Sequence, residues 1–335
     1  MPRRHRAPAA VAGATVEPLP RPQIVARDAR GPEHVALDDR GRILTGTADG
    51  AIWRLTLSDT TGLARAEVIA ETGGRPLGLV PSPDGELLVC DARRGLLRVD
   101  PRGGTVRVLA DEVAGAPLRF CSNVAMAADG TLYFTVSSRR HPLEDWLSDI
   151  LEDTGTGLLL RLRPGGEPEV LRDGLRFANG VALAPDESFV AVAESGARRI
   201  SRHWLTGPRQ GGHDILVRDL PGYPDNLSRG TDGVFWVALA GPREPAVDAA
   251  HRAPPAVRRA AAATAKRLRP RPRATLRVLA IRPDGSVARH LLRRWSPYRM
   301  ATSVCEHGHR LVLGSLLERG IAVCALPAAR EDGSA

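Results

Sequence analysis

A polar turn followed by a short apolar strand recurs six times along this chain, and that recurrence restricts it to repeat architectures. The turns are Asp39-Arg40-Gly41, Pro83-Asp84-Gly85, Ala128-Asp129-Gly130, Pro185-Asp186-Glu187, Thr231-Asp232-Gly233 and Glu306-His307-Gly308. Each opens a run such as Arg42-Ile43-Leu44-Thr45 or Val234-Phe235-Trp236-Val237. Taken at positions 41, 85, 130, 187, 233 and 308, the spacings are 44, 45, 57, 46 and 75 residues. Six units of about 45 residues, two enlarged by insertions, are what an all-β, six-bladed β-propeller requires.

The strands of one unit follow from β-branched and apolar runs bounded by Gly, Pro and Asp. The second unit reads as Leu77–Val80, Leu87–Cys90, Leu96–Val99 and Thr105–Leu109, a four-stranded meander. The last unit runs out after its third strand, Ile321–Ala325, while an orphan strand, Gln23-Ile24-Val25-Ala26, precedes the first. The N-terminal strand is therefore expected to complete the sixth blade and hide two sheet edges. This gives one domain over residues 22–328, with a disordered leader at 1–21 and a disordered tail at 329–335.

The formal charge of +9 raises nucleic-acid binding, yet the chain has a single lysine, Lys266, amid abundant Arg, Ala, Gly and Pro. That bias pervades the sequence as a GC-rich coding sequence would make it, and no nucleic-acid partner is expected. No run reaches the 18 or more apolar residues of a membrane span. The basic start at Arg3, Arg4 and Arg6 before a short small-residue stretch is a weak export signal, broken by Gly13. A cytoplasmic location is the default expectation. Cys90, Cys121, Cys305 and Cys324 form no CxxC pair. They read as buried small residues, with no zinc and no required disulfide.

Two insertions account for the long spacings. Residues 137–156 carry Trp146, Leu147, Ile150 and Leu151 at helical spacing, and residues 245–268 are Ala-rich with Arg and Lys, ended by Pro270 and Pro272. Both are expected as short helices over the ring. The second leaves open association with an anionic membrane or a role as a substrate-access lid.

Four polar residues share one phase of the repeat. Glu33, Asn123, Asn179 and Asp225, the last followed by Asn226, each stand seven or eight residues before the turn of units one, three, four and five. Residues at one phase of a propeller ring its axis, so these should meet at one mouth of the channel. Two carboxylates and two or three amide oxygens, without sulfur or imidazole, suit Ca²⁺, or another hard divalent cation, rather than zinc. Units two and six offer Leu77 and Met300 at this phase, an apolar side for a small-molecule substrate.

Several motifs carry a family resemblance. Gly31-Pro32-Glu33, Gly74-Arg75-Pro76-Leu77-Gly78-Leu79, Ala178-Asn179-Gly180-Val181, Pro221-Gly222-Tyr223-Pro224-Asp225-Asn226 and Glu306-His307-Gly308 resemble the strictosidine-synthase-like branch of the gluconolactonase and senescence-marker-protein superfamily. The resemblance implies Ca²⁺ held by Glu33, Asn123, Asn179 and Asp225, with Asn226 nearby. It also implies hydrolysis of a lactone or aryl ester, the metal polarising the carbonyl while a carboxylate or histidine activates water. Asp225 is the first candidate for that base, and His141, on the insertion over the mouth, the second. His34 should point away from the site, because it follows Glu33 directly.

True strictosidine synthases carry a catalytic glutamate four residues before the position matching Glu306, and here Thr302 stands there. Condensation of an amine with an aldehyde is therefore disfavoured. No GxSxG elbow is present. A non-catalytic binding propeller remains the other alternative, and nothing in the sequence announces an oligomer.

Overall fold

The computed structural model describes residues 9–11, 14–58 and 62–328. Six antiparallel sheets follow one another around a ring. Blade two shows why these residues make a blade. Its strands, Pro76–Pro81, Leu87–Asp91, Gly95–Val99 and Val106–Ala110, are β-branched or Leu-rich and are joined by turns at Gly85 and Gly104. Both glycines have positive φ, 85° and 69°, which an L side chain resists. The inner strands are buried on both faces, since each sheet packs against the next blade, and the outermost strand is half exposed.

Ring closure follows the expectation. Gln23–Arg30 pairs antiparallel with Arg319–Ala325, so blade six combines Ala301–His307, Arg310–Ser315 and Arg319–Ala325 with the N-terminal strand. Apolar clusters sit between successive blades. Ile43, Leu55, Val312 and Ile321, for example, join blade one to blade six.

The leader departs from expectation. Residues 14–21 are ordered along the ring: Glu17–Pro18 pairs parallel with Leu291–Leu292 of blade five, and Ala9–Ala10 pairs parallel with Val217–Arg218 of blade four. The physical reason is edge cover plus burial. Leu19 is only 1% exposed within the blade five–six cluster, and Glu17 takes a two-pronged contact from Arg289 at 2.6 and 2.8 Å. The remaining leader residues, 1–8 and 12–13, and the tail at 329–335 lie outside the described residues.

The two insertions fold as helices: α1 at Trp146–Glu152, α2 at Pro245–Arg252 and α3 at Pro255–Leu268. They pack on each other. α1 and the residues that flank it are acidic and α3 is basic, with Lys266 2.8 Å from Asp145 and Arg258 3.8 Å from Asp153. The His251 ring lies 2.7 Å from the Ile150 carbonyl, tying α2 to α1. Among the described residues no helix is long and apolar enough to cross a membrane.

Candidate metal centre

The first strand of each blade lines the axis, and its start is irregular in the same way in five blades. Pairing with the second strand jumps between Pro76 and Leu79, Cys121 and Val124, Ala178 and Val181, Pro224 and Leu227, and Ala301 and Ser303. Such bulges re-aim side chains that regular alternation would send into the sheet faces. Asn123, Asn179, Asp225 and Asn226 all lie inside these irregularities. Glu33 comes from the approach to the short first strand of blade one, Ala36–Leu37.

Close approach of neighbouring first strands needs glycine at two points. A Cβ on Gly180 would meet the Leu227 nitrogen at 2.3 Å, and one on Gly78 the Asn123 Cα at 2.5 Å. The residue following Asn179 must therefore lack a side chain for the Asp225-Asn226 strand to come near.

The five polar residues come together. Their exposures lie between 1% and 7%. Asn123 donates its amide Nδ2 to Asn226 Oδ1, and Asn226 donates Nδ2 to Glu33 Oε1 at 2.7 Å. Asn179 Oδ1 accepts from Ser122 Oγ at 3.1 Å, and Asn179 Nδ2 donates to Ser195 Oγ at 3.4 Å. Asn226 thus engages both ends of its amide in bridging blades three and one. Two carboxylate oxygens, Glu33 Oε2 and Asp225 Oδ1, are buried without a hydrogen-bond partner among the described residues.

The electrostatics are unfavourable as they stand. Burial pushes Glu33 up from 4.5 to about 7, against the Asn226 hydrogen bond and the Arg75 guanidinium. Asp225 is pushed well above the carboxylate range by burial first and then by the Glu33 charge, against a hydrogen bond from Asn179. A native fold that keeps two buried, mutually repelling carboxylates with unpartnered oxygens has a place for a cation. Among the described residues no group of three or more His, Cys, Asp or Glu side chains gathers to hold a metal. The donor set is thus two carboxylates plus amides, all hard oxygens, and the residues present fit a divalent ion such as Ca²⁺.

Above the ring lies an apolar ceiling. Phe120 and Phe177 meet edge to face at 5.4 Å and join Leu77, Ile150, Leu151, Val247, Ala250 and Ala262 in one cluster. Both phenylalanines adopt φ of 58°, Phe120 three residues before Asn123 and Phe177 two before Asn179, and Met300 adopts 47°. Left-handed backbone at a non-glycine residue costs on the order of 1–3 kcal/mol and persists where surrounding structure enforces it. The cap is fastened to the blades by Arg198 to Asp248 at 2.6 Å and Arg93 to Glu144 at 2.9 Å.

His141 is placed in that cap and is not brought to the donor ring. Its ring nitrogens face Asp145 at 3.8 Å and Glu152 at 3.5 Å, and its backbone N–H donates to Ser138 Oγ. His34 turns away between blades one and two, where Nδ1 accepts from the Leu79 N–H at 3.4 Å. Thr302 donates its hydroxyl to the Glu33 carbonyl at 2.5 Å. In the sequence Ser122, beside Asn123, has no triad partner as a nucleophile, and Ser195 and Arg75 are assigned no role at the site; in the structure these groups set the surroundings of Asn179 and Glu33. Ser122 lies inside the blade-three irregularity and Ser195 just past the end of the strand Phe189–Glu194, positions that show only once the strands are paired.

Comparison with known proteins places this geometry. Residues 122–208 match the family model described as strictosidine synthase, and residues 19–55 the one described as strictosidine synthase-like, N-terminal. Protein STRICTOSIDINE SYNTHASE-LIKE 10 of Arabidopsis thaliana is 39% identical over 229 residues, 63% of this chain and 61% of that protein. Adipocyte plasma membrane-associated protein of Rattus norvegicus is 37% identical over 223 residues, 63% of this chain and 59% of that one. The chain therefore spans about three fifths of the length of these curated relatives. Among solved structures, a calcium-binding regucalcin from Agrobacterium tumefaciens superposes with a TM-score of 0.64 at 16% identity, over 93% of this chain and 95% of that one. A gluconolactonase from Xanthomonas campestris gives 0.61 at 18%, over 95% and 99%. By sequence the chain is similar to strictosidine-synthase-like proteins over part of its length, and its six-bladed propeller fold is shared with the gluconolactonase and regucalcin structures.

Proposed function

We propose that this chain is a calcium-dependent hydrolase of a small lactone or ester. The observation that supports this reading most is the pair of buried carboxylates, Glu33 and Asp225, each with one unpartnered oxygen, among three amides at the mouth of the channel. Glu33, Asn123, Asn179 and Asp225 would hold the ion. A bound Ca²⁺ supplies Lewis-acid polarisation of a carbonyl and charge stabilisation for the developing oxyanion.

The chain's own residues do the rest. Asn226 fixes the Glu33 carboxylate and Asn123 in one arrangement, so the donors need little reorganisation. Asp225 is the carboxylate at the ion that accepts a proton from an attacking water, through the oxygen that does not ligate the cation. The Phe120–Phe177 ceiling and the three helices exclude bulk water and present apolar surface to the acyl or ring part of the substrate. His141 sits within the cap beside Asp145 and Glu152, away from the donors, and Asp225 is left as the base.

The propeller neighbours named gluconolactonase and luciferin-regenerating enzyme support an enzyme on this scaffold. Condensation chemistry is not favoured, because Thr302 spends its hydroxyl on the Glu33 backbone and no carboxylate stands there. The test is hydrolysis of a panel of lactones and aryl esters by chelator-stripped protein, with and without Ca²⁺. Activity restored by Ca²⁺ is expected. Tight Ca²⁺ binding with no turnover of any substrate would instead indicate a binding propeller with a structural ion.

A further inference from the structure

The four cysteines divide into two kinds. Cys305 and Cys324 are buried in blade six, but they face different clusters, and Cys324 Sγ donates to the Leu311 carbonyl at 3.9 Å. Cys90 and Cys121 are fully buried in one cluster between blades two and three, with their Sγ atoms 3.1 Å apart. Cys90 lies on the second strand of blade two and Cys121 opens the first strand of blade three, 31 positions later. Two sulfurs at that separation are about 1 Å from the bonding distance of roughly 2.05 Å. Small side-chain rotations on two rigid, packed strands would close that gap.

From this geometry we propose that Cys90 and Cys121 are a disulfide-forming pair that clasps blade two to blade three. The bond's second anchor is two residues from Asn123 and borders the irregularity that turns Asn123 toward the axis. The clasp therefore holds the strand that delivers one member of the donor ring.

The chemistry balances with a low-molecular-weight disulfide as oxidant. One cysteine thiolate attacks it, releasing one thiol and leaving a mixed disulfide on the protein. The second cysteine then attacks the protein sulfur, the S–S bond forms and the second small thiol leaves with a proton. The oxidant gains the two electrons the protein dithiol gives up. Both sulfurs are sealed in the folded state, so exchange belongs to folding, while blades two and three are still assembling. Once formed, the bond is shielded from reductants.

The experiment refolds the full chain from denaturant with either dithiothreitol or a glutathione/glutathione disulfide mixture, counts free thiols after denaturation, and maps linked peptides by non-reducing mass spectrometry. The expected product of the second condition has two free thiols, a Cys90–Cys121 link and a Tm several degrees above the reduced form. That Tm difference should vanish in Cys121→Ala and in Cys90→Ala and persist in Cys305→Ala. Comparing wild-type protein in its two redox states needs no variant, so poor folding of either alanine variant leaves the test intact. Four free thiols after refolding with glutathione disulfide, a link through Cys305 or Cys324, or a linked form that melts no higher than the reduced one would overturn the proposal.

Discussion

Asn226 Nδ2 donates to Glu33 Oε1 at 2.7 Å across the axis, joining residues 193 positions apart. Blade five thereby sets the carboxylate of blade one. Replacing Asn226 with Ala strands both Glu33 Oε1 and Asn123 Nδ2, and each buried group left unpartnered costs about 1–3 kcal/mol. Loss of an orienting partner also weakens metal sites about 10- to 100-fold. Urea denaturation and calorimetric Ca²⁺ titration of Asn226→Ala should show both losses.

Removing the Asp225 charge separates chemistry from stability. Asp225→Asn is expected to lower kcat by about 10²- to 10⁴-fold, the usual contribution of a general base. In chelator, the same variant should melt higher than wild type, because the burial of a carboxylate and, second to it, the repulsion with Glu33 are both gone. Wild type in Ca²⁺ at 100 times its Kd should gain about 2.7 kcal/mol over the chelated form, and Asp225→Asn much less. Differential scanning calorimetry with and without Ca²⁺ reads all three quantities, and wild-type activity in the variant would exclude Asp225 as the base.

Gly180 is required by space alone. Gly180→Ala places a Cβ 2.3 Å from the Leu227 nitrogen, and backbone there cannot retreat without opening the blade four–five contact. We expect a loss on the order of 1–3 kcal/mol or more. Gly166→Ala, whose Cβ would find its nearest neighbour at 3.4 Å, is the matched control and should change little.

Asp248 holds α2 through Arg198 and Arg243. Asp248→Ala should leave the global Tm nearly unchanged while making the 245–272 segment more sensitive to limited proteolysis, because the blades do not depend on the cap for their own packing. Equal resistance of the variant would mean that the apolar ceiling alone fastens the helices.

His290 gives a pH signature. Burial, with the Arg277 charge adding to it and Glu17 opposing, holds its imidazole below the ordinary 6.5, and neither ring nitrogen has a partner. The folded protein therefore binds this proton less readily than the unfolded chain. Its contribution is fully present above pH 6.5 and is lost as pH falls below that value. His290→Leu should flatten the acid limb of stability against pH between about 6.5 and the lower folded value, read from urea midpoints.

Much of this was legible in the sequence because a propeller repeats. The turns gave the blade count, and the orphan strand near Gln23 gave the closure. The shared phase of Glu33, Asn123, Asn179 and Asp225 singled out the residues that meet on the axis. The strand irregularities were not legible, since a bulge is a property of two strands in register and only one is visible at a time. The edge strands at Ala9–Ala10 and Glu17–Pro18 were missed because two residues carry no periodicity, and their pairing partners lie more than two hundred positions away. The pairing of α1 with α3 depended on complementary charge between segments about a hundred residues apart, Asp145 and Lys266 among them. His141 stands out in the sequence because its insertion lies over the mouth; the structure sets its ring near Asp145 and Glu152 of its own segment, with Nε2 lacking a hydrogen-bond partner among the described residues.

A circle that locks with its first and last pieces cannot be finished early. Arg319 reaches back to the Arg27 carbonyl across 292 positions, so during synthesis the strand at Gln23–Arg30 must wait, unpaired, until nearly all of the propeller has left the ribosome. Long-range closure of this kind is slow, and an open strand edge is prone to pairing with other chains while it waits. The yield of active protein should therefore depend on keeping that single waiting strand out of trouble more than on the strength of any one blade.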